Sequence, residues 1–299
     1  MEWQTKIHIA PAQYKISYQD HILSLGSCFA DSVAAQMETC YLPVTINPFG
    51  TLYNPLSIAR AICGEDTQPL VFYDGLYHSM RHHGAFSFAS EQEAQAAVLQ
   101  SEARMCRAWD SATVVLLTFG TAWVYEYEGQ VVANCHKLPA SRFVRRRLTV
   151  EEIVAAWEPI LTHYADKHFI FTVSPIRHIK DGLHENHLSK GILLQAVEQL
   201  VHRGADYFPA YEIVLDELRD YRFYAEDMLH PSAVAVSYIW ERFVETYMTA
   251  DTVREMQMLH RFYQDKHHRL LHPDSPSGQA FLQRVSKEEE RLRNAGYLV

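Results

Sequence analysis

The chain has 299 residues, 48% hydrophobic and 21% charged, a balance that excludes disordered, collagen-like and low-complexity classes. Lys+Arg 27 against Asp+Glu 36 leaves a net charge of −9, which disfavours sequence-nonspecific nucleic-acid binding. By length it holds two average domains, or one large α/β domain with insertions.

Read from the N-terminus, the first 25 residues lack a basic start, an apolar stretch and a small-residue cleavage site, so no secretory signal is expected. The first strand is predicted at His21–Leu25, running into Gly26-Ser27-Cys28 and a helix over Ala30–Thr39. A second helix follows over Pro55–Ile62. The stretch Asp66–Phe88, rich in aromatics and carrying His78, His82 and His83, reads as a long excursion. Glu91–Trp109 is predicted helical, and Thr113–Phe119 is a strand ending in Gly120-Thr121. Val124–Arg147 reads as a hairpin turning near Glu128-Gly129, followed by a basic segment. A helix over Val150–Tyr164 leads to a strand at His168–Val173, which ends in Ser174-Pro175. Helices over Ser189–Arg203 and Ser232–Met248 flank a fourth strand within Tyr207–Leu215, where Pro209 marks an edge or a late start. After Ala250 the tail is helical, breaks at His272–Gly278 and resumes as a charged helix.

Strand followed by helix, repeated, predicts βαβ units and a parallel sheet covered on both faces. Ligands in such folds bind beyond the carboxyl ends of the strands, and three of the four predicted strands end there in small or polar residues. The predicted division is an α/β domain over 1–250 and a helical C-terminal extension over 251–299 packed on the same domain. The longest apolar runs, such as VVLLTF at 114–119, are too short to span a bilayer.

Histidine is abundant, 17 copies beside five cysteines, which raises metal binding and nucleophilic catalysis as alternatives. The cysteines are odd in number and lack a Cys-x-x-Cys pair, so a disulfide framework is not expected and a cytoplasmic setting is. No histidine pair has convincing metal-ligand spacing. His184 and His187 sit in a loop-like HENH, and His78 with His82 lie in an aromatic, Gly-containing stretch. No metal and no cofactor are expected. His267, His268 and His272 read as solvated.

A side chain just after Gly26 sits near a helix N-terminus, where amides and the macrodipole favour an anion. Cys28 placed there is expected to have a lowered pKa and is a candidate nucleophile, although free cysteines more often simply pack. Asp227-Met228-Leu229-His230-Pro231-Ser232 precedes the last sheet-covering helix. Three residues apart, the Asp227 carboxylate can hold His230 Nδ1–H and leave Nε2 as a base. The bland alternative is a capping aspartate beside a surface histidine.

Together these blocks resemble the first and last blocks of SGNH (GDSL-type) hydrolases, which carry a nucleophile after strand one and an Asp-x-x-His dyad on a flavodoxin-like sheet. More closely, Leu25-Gly26-Ser27-Cys28-Phe29-Ala30 matches the naming motif of the GSCFA family, which is grouped with them. Asn47-Pro48-Phe49-Gly50-Thr51-Leu52-Tyr53-Asn54-Pro55, Gly120-Thr121-Ala122-Trp123-Val124-Tyr125 and Asn134-Cys135-His136-Lys137 extend the resemblance, as do Ser174-Pro175 and the block at 227–231. It implies a flavodoxin-like, SGNH-like α/β fold. It also implies an acyl-ester hydrolase or acyltransferase acting on a small-molecule or carbohydrate-type ester. No nucleic-acid or membrane partner is expected. The alternative is a catalytically inactive binding protein on the same scaffold.

Matched on the glycine, Cys28 takes the nucleophile slot, with Ser27 the rival if the turn shifts by one residue. The resemblance places oxyanion donors at the Cys28 N–H and at Gly50. In the third block, Gly120-Thr121-Ala122, alanine stands where the superfamily has asparagine, so Thr121, Asn47 or Asn134 would have to fill the gap. In Asn134–Lys137, neighbouring side chains on a strand would face opposite sides, one toward a pocket and one toward the core. His136 is the reserve base, and Lys137 would attract an anionic substrate. Arg142 with Arg145, Arg146 and Arg147 could hold a phosphate or carboxylate, but a solvated, helix-flanking face is the default.

Overall fold

The computed structural model describes residues 4–64 and 69–298. Of the excursion expected over 66–88, residues 66–68 lie outside the described residues.

The chain opens with β1 (Ile22–Gly26), α1 (Cys28–Thr39), β2 (Val44–Ile46) and α2 (Pro55–Cys63). Ser27 and Asn54 cap the two helices, each side chain accepting from an amide of the first turn. The excursion is itself a small antiparallel sheet of β3 (Val71–Tyr73), β4 (Leu76–His78) and β5 (Ser87–Phe88). Then come α3 (Glu91–Ser111) and β6 (Val114–Phe119), followed by β7 (Trp123–Tyr127), β8 (Gln130–Val132) and β9 (Phe143–Arg147). The hairpin of β7 and β8 turns at Glu128-Gly129 as expected. The basic segment that follows is not helix-flanking: it is β9, an antiparallel partner of β7.

The second half contains α4 (Val150–His163), β10 (His168–Val173), α5 (Leu183–Val201) and β11 (Asp206–Tyr207). It continues through α6 (Ala210–Glu212), α7 (Ala233–Tyr247), α8 (Ala250–His267) and α9 (Pro276–Asn294). Two expectations fail here. The fourth strand is at the sheet edge, as one reading of Pro209 had it, but it stops before Pro209, and the apolar run beyond is helical, α6 passing into a wider π turn at Ile213–Leu218. Its buried residues Ala210, Ile213 and Val214 recur at helical spacing. HENH is not a loop either, because α5 starts at Leu183 and places His184 and His187 on its first turns. The short β2, which escapes the sequence reading, is a fifth strand beside β1.

The protein is α/β, with a central five-stranded sheet in the order β11-β10-β6-β1-β2, all pairs parallel. In chain order this is 2-1-3-4-5, consistent with a flavodoxin-like arrangement. Strand residues alternate between two buried faces. Leu23, Leu25, Val115, Leu117, Phe169 and Phe171 pack against α2, α3, α4 and α5. Ile22, Val114, Leu116 and Ile170 pack against α1 and α7, with Met256 of α8 joining that layer. Beyond it, Leu259 and Phe262 of α8 close over Leu292 of α9, against Tyr18 and Tyr41. No helix among the described residues is long and apolar enough to cross a membrane.

Candidate active site

The parallel order places the carboxyl ends of β1, β6 and β10 side by side. Gly26, at the end of β1, has φ +144°, and a Cβ there would lie 2.2 Å from the Thr118 carbonyl oxygen. Only glycine lets the two strands meet this closely before the chain turns into α1. Ser27 is the helix cap and Cys28 the first helical residue, so the thiol emerges beside the orphan amides of α1. Ser27 is fully buried, and its hydroxyl accepts from Phe29 N–H.

The second half of the site arrives through the loop before α7. Asp227 Oδ1 accepts from the amides of Leu229 and His230 at 2.9 and 3.0 Å, folding the loop tightly around the carboxylate. Its Oδ2 lies 2.6 Å from His230 Nδ1, and His230 Nε2 lies 3.7 Å from Cys28 Sγ. With Nδ1–H donated to Asp227, Nε2 is left with its lone pair toward the thiol. The amides of His230 and Leu229, and then the imidazole, hold the Asp227 carboxyl down to about 2. It is therefore an anion at any ordinary pH.

The thiol departs from the sequence reading. Burial pushes Cys28 above its ordinary pKa, and the charge of Asp31 adds to this. The Cys28 and Phe29 amides and the Lys190 ammonium pull the other way and are outweighed. Proximity to a helix N-terminus was expected to lower the value, but desolvation in a half-closed position wins. The resting group is a thiol that needs its base.

The oxyanion residues carried over from the resemblance are mostly engaged elsewhere. Gly50 N–H donates to the Asn47 carbonyl at 2.8 Å, closing a turn, so it is not a free donor. Gly50 is required for another reason: its φ is +71°, and a Cβ would fall 2.5 Å from His83 Cβ. Gly120 and Thr121 both give their N–H to the Tyr53 carbonyl. Asn47 accepts from Gly26 N–H and donates to Asp31, bracing the end of β1. Ala122 is buried in the core, its N–H donating to Ser189 Oγ. Asn134 and Lys137 reach the cleft, whereas His136 is turned away. That division does not arise from strand alternation: 134–137 is a turn with His136 and Lys137 at φ 46° and 60°.

Cys28 and His230 line a cleft of about 830 Å³, together with Thr121, Asn134 and Lys137. Arg145 of the basic segment also lines it, and Tyr53, Trp123, Tyr125, Arg177 and His178, which no site expectation named, complete much of its wall. Burial beside Lys190 and His230 depresses His178 to about 4, and its Nε2 is buried without a partner among the described residues. Beneath the cleft, fully buried Lys190 donates to the Gly120 and Ser174 carbonyls at 2.6 Å each. It ties the ends of β6 and β10 together, and burial pulls its ammonium down to about 7. Lysines on amphipathic helices are normally solvated, so nothing in the sequence marked this one.

Among the described residues, no group of three or more His, Cys, Asp or Glu side chains is arranged to hold a metal. The model of the GSCFA family matches residues 21–243, about three quarters of the chain. No curated protein matches it.

Proposed function

The chain belongs to the GSCFA family, and we propose that it is an SGNH-like acyl-ester hydrolase or acyltransferase with Cys28 as nucleophile, His230 as base and Asp227 as orienting carboxylate. The observation that carries this reading is the unbroken line from Asp227 Oδ2 through the imidazole to Cys28 Sγ, opening on a cleft at the strand ends.

The chemistry follows from those contacts. His230 Nε2 takes the thiol proton as Sγ bonds to the acyl carbon, and the carbonyl π pair moves onto oxygen. The imidazolium that forms lies against ionised Asp227, which stabilises it. Collapse of the tetrahedral intermediate expels the alkoxide, which takes the proton from Nε2 and leaves a thioester. Water then attacks, or an acceptor alcohol in transfer. It gives its proton to Nε2, and the departing thiolate recovers a proton there. Because the resting group is a protonated thiol, the base acts in the first step rather than only in the second.

The oxyanion is assigned to the Cys28 N–H, an orphan amide of α1, and to the hydroxyl of Tyr53. That hydroxyl has no partner among the described residues, and the residue lines the cleft beside Cys28. Tyr53 thus takes the place that Gly50 and the missing asparagine leave open.

An activated acetyl ester should leave an acetyl adduct on Cys28, located by peptide mass spectrometry and absent in Cys28→Ala. The engaged Gly50 amide and Ala122 favour the rival, a binding protein without turnover. That reading gains if Cys28 stays unlabelled while a ligand still occupies the cleft.

A further inference from the structure

The cleft in front of Cys28 has a charge opposite to that of the molecule. The chain carries a net −9, yet Lys137, Arg145, Arg177 and Lys180 line the cleft against one lining carboxylate, Asp181. Asp181 pairs with Arg145. Lys137, Arg177 and Lys180 have no carboxylate partner among the described residues.

Aromatic rings lie against Arg145, Arg177 and Lys180, and for Arg177 and Lys180 they stand where a counter-ion would. The Arg177 guanidinium lies 4.1 Å from the ring centre of Tyr224 and 5.2 Å from that of Tyr221. Arg145 lies 3.9 Å from the ring centre of Trp123, and Lys180 lies 5.9 Å from that of Tyr125. A ring face holds a guanidinium by its quadrupole and dispersion without neutralising it. A surface arginine paired with a carboxylate would have spent that charge. Two polar atoms in the same wall are also left over: Arg145 Nε and His178 Nε2 are buried without partners among the described residues.

We propose that the cleft binds an anionic group, phosphate or carboxylate, carried by the acyl donor or acceptor that reaches Cys28. The anion would sit against Arg177 and Lys137, in the same cleft that Cys28 and His230 line. In a protein of net negative charge, such a cationic cleft also focuses the field that draws an anionic substrate in. The inference rests on the proposed function only for calling the ligand an acyl substrate. The anion site itself stands on the geometry of the wall.

Calorimetric titration of the Cys28→Ala protein at low salt tests it without turnover. The probes are phenyl phosphate, benzoate and benzyl alcohol, which share a ring and differ in charge. At least one anion is expected to bind about tenfold more tightly than the alcohol, as a partly desolvated charge contact would give. Arg177→Gln or Lys137→Gln should remove most of that preference, and added salt should weaken it. Preference for phenyl phosphate over benzoate, or the reverse, identifies the anion. Equal binding of all three probes overturns the proposal, as does an anion preference that survives both substitutions. Failure of the acyl-enzyme reading shows separately, as an unlabelled Cys28 in the native protein.

Discussion

Two histidine sites in this molecule share a residue type and little else. His78 and His82, in the antiparallel insert, and His136, in the turn after β8, are buried and held by serines and backbone carbonyls. His82 has Nδ1 at 2.6 Å from Ser79 Oγ and Nε2 at 3.1 Å from Ser101 Oγ, with Phe49 and Phe86 against its ring. His136 Nε2–H donates to the Ser79 carbonyl at 2.7 Å. His230 instead has a side chain 47% exposed, with a carboxylate on one nitrogen and a thiol on the other. Both nitrogens of the buried rings are consumed by the scaffold. One nitrogen of His230 is spent on orientation, and the other is available for chemistry. Histidine content therefore says little about reactivity; what faces the second nitrogen decides it.

Exchanging the damage is the strongest way to break this contrast. His230→Ala should slow acyl labelling of Cys28 by about 10²–10⁴ while leaving the melting temperature nearly unchanged, because the loop is exposed. His82→Ala should do the opposite, costing about 2–4 kcal/mol of stability through the cavity and the orphaned serines, with labelling preserved. Thermal melts and labelling rates on the two variants decide it. Loss of labelling in His82→Ala without loss of folded protein would erase the distinction.

Acidification sharpens the same contrast. Burial depresses His82 to about 3 and His136 to about 4, below the ordinary value of 6.5. Below 6.5 the unfolded chain takes up protons that the folded chain refuses. Stability is therefore fully present above pH 6.5 and falls as pH drops toward 4, by roughly 3 kcal/mol for the pair after allowing for relaxation. Denaturant unfolding followed from pH 7 to pH 4 should show this slope, and His136→Gln should flatten it. A slope that is unchanged in His136→Gln would locate the acid sensitivity elsewhere.

The insert and the cleft were not equally legible in the sequence. Strands ending in Gly26, Gly120 and Ser174 announce a site at the sheet's carboxyl edge, and Asp227-x-x-His230 states its own geometry because the loop folds locally. What failed depended on how backbone and side-chain partners close up in the folded chain. The use of the Gly50 amide is decided by how the 47–50 turn closes. The ammonium of Lys190 is decided by two strand ends that meet only in the folded sheet. The run after Pro209 failed for another reason: a short apolar stretch carries no period long enough to separate strand from helix. The direction of the Cys28 shift was misjudged because helix proximity can be read from sequence and depth of burial cannot.

The mildest test sets Ser27 against Cys28, adjacent residues divided as the histidines are. Ser27 is closed in the core with its hydroxyl turned to the Phe29 amide, whereas Cys28 lines the cleft and faces His230. Removing the cap by Ser27→Ala should cost about 0.5–2 kcal/mol, toward the lower end because that hydrogen bond is long at 3.4 Å. Labelling at Cys28 should continue at a similar rate, since neither Asp227 nor His230 touches the lost hydroxyl. Chemical denaturation gives the first quantity and peptide mapping of the acyl adduct the second. An adduct that persists in Cys28→Ala and vanishes in Ser27→Ala would move the nucleophile by one residue. The turn after Gly26 would then have to open far enough to bring a fully buried hydroxyl to the imidazole.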